Sequence, residues 1–196
     1  MNDIPGFEQF VSIHPVEKGW SDDRKFFIET TQGERLLLRL SDSALFDKKK
    51  EEFEGMIKVA ELGIPMSKPI RFGLCTGGKE VYGLYTWCDG EDAETAVGDY
   101  LEERQLELGL EAGRILKTIH QLEAPATCEE WSAKFTRKTA NKIEVFIKCG
   151  YTFDGSEEAI AYLQANPSIL DNRPQTYHHG DYHVGNMIIS EDDQLQ

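Results

Sequence analysis

His178-His179-Gly180-Asp181-Tyr182-His183-Val184-Gly185-Asn186 is the densest run of chemistry-bearing side chains in the chain, and the apolar triplet Met187-Ile188-Ile189 follows it directly. Three readings of the run compete. The plainest is a polar loop whose histidines and acid satisfy neighbouring backbone groups. A metal hydrolase is the second, because three histidines and an aspartate fall within six positions, but no helical run sets two of them on one face as H-E-x-x-H does. The third is the pattern H-G-D-x-x-x-x-N, in which an Asp orients or accepts the proton of an attacking hydroxyl and an Asn five positions on turns back to ligate Mg²⁺. Both groups then belong on one rigid loop, because hydroxyl and metal-bound phosphates have to meet in line. Met187–Ile189 predicts a short strand, Glu191-Asp192-Asp193 a turn, and Gln194-Leu195-Gln196 the opening of a returning arm that stops.

Upstream of this run, alternating apolar positions predict strands at 26–30 and 36–40 around the turn Gln32-Gly33-Glu34. A charged helix is predicted from Ser43 to Leu62, with Phe53, Met56, Ile57 and Ala60 on one face and Gly63 as its stop. Pro69–Gly73 and Val81–Tyr85 form a second hairpin around Thr76-Gly77-Gly78-Lys79, giving the order strand, strand, helix, strand, strand. Beyond Trp87-Cys88-Asp89-Gly90 the pattern turns helical. Leu106, Leu110, Gly113, Leu116 and Ile119 line a long amphipathic helix, whose small Gly109 and Gly113 suit a close neighbour. Further helices are predicted at 136–148 and 156–164, the latter with Ser156 as its N-cap. A mostly β half and a mostly α half therefore meet near residues 86–90.

The chain's 196 residues are enough for one domain or two small lobes. With 21 Lys and Arg against 35 Asp and Glu, the net charge of −14 argues against nucleic-acid or anionic-membrane partners, which need a basic patch. A hydrophobic fraction of 40% supports a packed core rather than a disordered chain. The N-terminal sequence has no basic region followed by an apolar stretch, so a cytoplasmic location is expected. Cys75, Cys88, Cys128 and Cys149 are widely spaced and form no C-x-x-C, which predicts buried reduced thiols.

The 179–186 loop, the strand order and the turn Gly19-Trp20-Ser21-Asp22-Asp23-Arg24-Lys25 together resemble the aminoglycoside phosphotransferase family, small-molecule kinases that share the protein-kinase-like fold and include choline kinases and antibiotic kinases. The resemblance runs from about residue 10 to the end. It implies an α+β fold of two lobes: an antiparallel sheet with one helix at 1–87 that binds nucleotide, and an incomplete, mainly α-helical lobe at 88–196 that carries the catalytic loop. It implies Asp181 as catalytic base, Asn186 as magnesium ligand, and ATP or GTP with Mg²⁺ as donor. Arg39 stands where many relatives hold the α- and β-phosphates with a lysine; a planar fork replaces a point charge there, unless Arg39 is an ordinary strand charge. Glu52 is the expected carboxylate partner of that cation, with Glu51 its competitor and a solvated helix face the alternative. The backbone of Thr86, Trp87 and Cys88 is expected to meet the purine edge, the Trp87 ring serving packing. Ser21 either contacts the β-phosphate or caps the turn. His183 braces the loop, and His120 is structural.

Members of this family bind the principal magnesium with a second acid in an I-D-F/W-type segment shortly after the catalytic strand, a place that here falls just past Gln196. Asp192 and Asp193 lie in a turn too close to Asn186 to replace it, so a C-terminally truncated chain is expected. The acceptor is a small hydroxylated molecule. An aminoglycoside suits the acidic charge, with macrolides, sugars and amino alcohols as alternatives, and antibiotic resistance is the associated role. A catalytically impaired nucleotide- or small-molecule-binding protein of the same fold is the second hypothesis, and a zinc enzyme the third.

Overall fold

A computed structural model of the chain describes residues 1–19 and 22–196. The predicted hairpins form as β2 (Arg24–Thr30) with β3 (Arg35–Asp42), and β4 (Pro69–Cys75) with β5 (Glu80–Thr86). A strand that the pattern had not signalled, β1 (Phe10–Pro15), adds an edge, giving one antiparallel sheet in the order β1-β2-β3-β5-β4. Its mixed composition is that of an edge, and Pro15 at its end needs no ladder donor.

Strand β3 shows how alternation places the chemistry. Leu36, Leu38 and Leu40 are buried, together with Ile28, Tyr82, Leu84 and the N-terminal Ile4, in one apolar cluster. Each such side chain contributes about 1.5–3 kcal/mol by leaving water. Period two then sends Arg39 and Ser41 to the opposite face. There helix α1 (Phe46–Ala60) packs, Phe53 lying 5.4 Å from the Phe72 ring and 5.6 Å from Tyr85. Of the face expected to be apolar and buried, Phe53 is buried and Met56 and Ala60 are half-buried, but Ile57 is exposed. Gly63 closes the helix at φ +73°.

After β5 come the short β6 (Glu91–Asp92), α2 (Ala93–Ala96) and α3 (Glu102–Ile119). Of the predicted stripe of α3, Ile119 is buried and Leu116 intermediate, but Leu106 and Leu110 are 66% and 52% exposed; the inward row runs through buried Leu108, half-buried Ala112 and Ile115, and Ile119. Gly109 and Gly113 are exposed too, with no described atom within 4 Å of a Cβ added at either, so neither receives a close neighbour. Helix α4 (Trp131–Cys149) begins earlier than its apolar pattern, because the Glu130 carboxylate accepts from the Ala133 amide at 3.0 Å and caps it. Helix α5 (Ser156–Ala165) is entered through Gly155 at φ +84°, which makes Ser156 its buried first residue and not its cap. Strand β7 (Ile188–Ile189) pairs with β6 on one side; on the other, Gln196 exchanges both main-chain bonds with Ile188 at 2.8 and 2.9 Å, so the returning arm is paired as far as it runs.

The chain divides into two compact units, Met1–Ile119 with His179–Gln196, and His120–His178. The second closes on itself where Ala124 and Tyr177 amides donate to Gln175 and Leu122 carbonyls, each at 2.8 Å, and Trp131 packs on Phe135 and His178. All four cysteines are free, but only Cys75 is buried; Cys128 and Cys149 are exposed and Cys88 is intermediate. No helix among the described residues is long and apolar enough to cross a membrane.

Candidate active site

The 179–186 loop is held by its own polar groups. The Asn186 side-chain amide donates to the Asp181 carbonyl at 2.9 Å and to Asp181 Oδ2 at 3.2 Å. Only the nitrogen end of an amide can face two oxygens, so Oδ1 is the atom left for a ligand. The Gly185 N–H donates to His183 Nδ1 at 3.1 Å, and the ring's Nε2 lies 3.2 Å from Asn186 Nδ2 and 3.6 Å from Asp181 Oδ2. His183 is thus a brace within the loop. Beneath it, Tyr182 donates to the Ala112 carbonyl at 2.9 Å and joins the apolar cluster of Leu108, Met187 and Ile189. Asp181 itself points outward, its side chain 78% exposed. With Asp181 Oδ2 taken by Asn186, the loop leaves Asp181 Oδ1 and the Asn186 amide oxygen as the acceptors that proton acceptance and binding of a hard cation require. Among the described residues, no group of three or more His, Cys, Asp or Glu side chains converges to hold a metal.

On the sheet, Arg39 has a carboxylate partner, but it is Asp23 rather than Glu52. Arg39 Nη2 lies 2.6 Å from Asp23 Oδ2, Lys49 Nζ 2.9 Å from the same oxygen, and the Ser41 hydroxyl donates to Oδ1 at 2.6 Å. Burial alone would raise the Asp23 carboxyl; the Ser41 hydroxyl, the Lys49 ammonium and the Arg39 charge outweigh it and hold its pKa at about 2. Glu52 is 48% exposed and paired with Lys49 at 3.3 Å and Lys48 at 3.9 Å. It lines one small cavity with Asp23, Arg39, Ser41, Lys49 and Tyr85, but its partners are the two lysines and not Arg39. The reason is reach: Asp23 immediately precedes β2, next to β3, whereas Glu52 follows Lys49 by three on the helix and takes that nearer cation.

The connection from β1 to β2 is pinned at its root. Lys25 donates to the Lys18 carbonyl at 2.8 Å, and its ammonium lies where a Cβ on Gly19 would sit, 2.6 Å away; with φ at +99°, position 19 admits only glycine without strain. Lys18 in turn pairs with Asp92, whose other oxygen caps α2 by accepting from the Glu94 amide at 3.2 Å. Ser21, expected at the β-phosphate, lies with Trp20 outside the described residues.

At the end of β5 the main chain is already partly paired. The Thr86 amide donates to Lys68 O at 2.9 Å, its carbonyl accepts from Ser67 Oγ at 2.6 Å, and the Trp87 amide donates to Arg35 O at 3.0 Å. These bonds correct the expectation that Thr86 offers its backbone to a purine. Among the described residues no protein group pairs with the Cys88 amide or the Trp87 carbonyl. The Trp87 ring packs edge-on against Phe27 at 4.8 Å. Burial, then the Asp89 charge, pushes the Cys88 thiol up and keeps it neutral.

The model of the phosphotransferase enzyme family matches residues 12–196, and the chain belongs to that family. Among solved structures it is similar to an aminoglycoside-3'-phosphotransferase of type VIII (TM-score 0.62, 16% identity, 96% of this chain and 70% of that one). It is similar also to the ADP-bound aminoglycoside phosphotransferase APH(2'')-Ib (TM-score 0.65, 15% identity, 98% and 68%). A streptomycin–ATP ternary complex of APH(2'')-IIa matches with a TM-score of 0.62 and 14% identity over 96% of this chain and 65% of that one. The likeness at such identities is one of fold, the α+β protein-kinase-like fold, and the chain spans about two thirds of the length of these proteins. No curated protein is a significant match.

Proposed function

We propose that this chain is an ATP- or GTP-dependent kinase of small molecules, moving the γ-phosphate to a hydroxyl of an aminoglycoside-type antibiotic, with a cytoplasmic role in antibiotic resistance. The observation that carries the reading is the Asn186 amide, which ties itself to Asp181 and leaves one oxygen of each residue presented together. Asp181 is then the base that accepts the hydroxyl proton, and Asn186 Oδ1 a ligand for Mg²⁺, which when bound neutralises the phosphate charge. Arg39 is the phosphate cation. The main chain at Trp87 and Cys88 meets the purine, between a nucleotide lobe, residues 1–87, and a partial catalytic lobe, residues 88–196. Family membership supports phosphoryl transfer. The similar structures with ADP, and with ATP and streptomycin, support the donor and the acceptor class.

The test is transfer of label from the γ-phosphate of Mg²⁺-ATP and Mg²⁺-GTP to an aminoglycoside panel that includes streptomycin, with Asp181→Asn as the control. The expected result is acceptor-dependent transfer that falls by roughly 10²–10⁴ in the variant, on the usual contribution of a general base, with nucleotide binding retained. Equal transfer by parent and variant would remove Asp181 from its role. Nucleotide binding with no transfer to any acceptor would replace the kinase with a binding protein of the same fold.

A further inference from the structure

We propose that Asp23 is the positioning residue of the phosphate site: resting on the reading of Arg39 as the phosphate-binding cation, its carboxylate fixes the guanidinium in place for a nucleotide's phosphates and ties α1 to the sheet through Lys49. Exposure separates this role from that of an inhibitory counter-ion. The Asp23 side chain is 5% exposed, Lys49 17% and Arg39 32%, so the anion lies beneath the cations it binds and Arg39 stays open on its outer side. A carboxylate that blocked incoming phosphates would be the outermost group of the cluster, not the innermost.

The bonding pattern agrees with a fixed support. Ser41 and Arg39 are two apart on β3 and share its α1 face, so the two Asp23 oxygens bridge them along the strand. The second bond on Oδ2, from Lys49, comes from the helix and crosses the sheet-to-helix gap. One buried anion thereby fixes three donors from two elements, which costs each side chain less freedom than separate pairs would. Lys25 lies close enough that the Arg39 charge, after burial, pushes its pKa down while Asp23 pulls it up. Arg39 and Lys49 bond the carboxylate and Lys25 lies nearby, so even with Glu52 paired to Lys49 the cluster is net positive, as a site for polyanionic phosphate requires. Glu52 touches this cluster only through Lys49 and cannot aim Arg39.

The test compares ATP with adenosine, which shares the purine and lacks the phosphates, as competitors of a fluorescent ATP analogue on the whole chain with Mg²⁺ present. Asp23→Asn is expected to weaken ATP on the order of tenfold, as loss of one charge-assisted support implies, and to leave adenosine within about twofold. In an Arg39→Ala background, Asp23→Asn is expected to add nothing, because it acts through the guanidinium. Unchanged or tighter ATP binding by Asp23→Asn, an equal fall for adenosine, or an undiminished loss in the Arg39→Ala background would overturn the proposal. If Arg39→Ala leaves the ratio of ATP to adenosine affinity unaltered, or the parent chain binds no ATP, the reading of Arg39 fails and the proposal with it. Thermal unfolding checks each variant. Should Asp23→Asn not fold, Ser41→Ala, which removes one neutral donor, is expected to give a loss of a few fold for ATP alone, and no loss there would overturn the role of Asp23.

Discussion

Gly90 joins the end of β5 to β6, and its replacement by alanine tests whether the candidate loop is held from behind as the structure shows. At φ +143° the backbone is outside the range of L side chains, and a Cβ at 90 would lie 2.1 Å from the Ile189 carbonyl oxygen and 2.7 Å from its carbon. Ordinary carbon–oxygen contact needs about 3.3 Å, so backbone must move by roughly 1 Å. What moves is the pairing of Glu91 with Ile189 and Asp92 with Ile188, and the Ala93 amide bond to Met187 O at 3.0 Å. Strain contributes about 1–2 kcal/mol, and the ladder bonds and repacking of the buried Ile189 about 2–3 kcal/mol more. The sum of about 3–5 kcal/mol predicts a Tm lowered by roughly 6–20 °C for a chain of this size. Because Ile188 follows Asn186 by two residues, weaker nucleotide-dependent Mg²⁺ binding is expected with it. Differential scanning calorimetry of Gly90→Ala beside Gly113→Ala is the assay. Gly113 is helical and exposed with open space about it, so its alanine is expected to stabilise by about 0.5–1 kcal/mol. A Gly90→Ala protein that melts within 2 °C of the parent would refute the close approach to β7 and the support it gives the loop.

Acid should reveal Asp23 independently of nucleotide. Its folded pKa of about 2 lies below the ordinary 3.8, so its contribution, about 2 kcal/mol at 1.36 kcal/mol per unit, is present above pH 4 and is lost as the pH falls toward 2. Urea midpoints of parent and Asp23→Asn should converge across that window. Asp3, held at about 2 by the Gly77 and Thr76 amides, titrates there in both proteins and cancels, so parallel curves would count against a buried ion cluster. On α3, Leu108→Ala is expected to cost about 2–4 kcal/mol and Leu106→Ala under about 0.5, since the side chains are 4% and 66% exposed. Equal losses in chemical denaturation would restore the stripe read from the sequence.

That stripe shows where sequence reading stopped. Helix α3 carries two adjacent apolar rows, one through Leu106 and Leu110 and another through Leu108, Ala112, Ile115 and Ile119. Periodicity finds both and cannot rank them; burial is decided by the loop beyond residue 178, whose Tyr182 hydroxyl bonds the Ala112 carbonyl across 70 positions. The two hairpins were legible because each carries its own turn glycines and its own alternation. The loop at 179–186 was legible for a similar reason, since the groups that shape it lie within five residues of one another. Asp23 was not, because its partners are 16, 18 and 26 positions away and nothing local says which of Asp22 and Asp23 turns inward.

The same distance dependence resolves a tension in the charge. A net charge of −14 describes the field that a distant molecule meets, and that field attracts cations. Screening at physiological ionic strength confines each charge to about 8 Å, so a group at the site responds to its immediate neighbours. Beside the Asp23 carboxylate those neighbours are Lys25, Arg39 and Lys49, with Glu52 on Lys49, still a surplus of positive charge inside an acidic chain. At the loop it is Asp181, with its carboxylate open to solvent. A kinase for a cationic acceptor has to hold a polyanion at one point and draw a cation to another, and an average over the sequence reports only the second. On the proposed function, composition reports the field that would draw a cationic acceptor, whereas the cluster in which Arg39 and Lys49 bond one buried carboxylate is visible only in the fold.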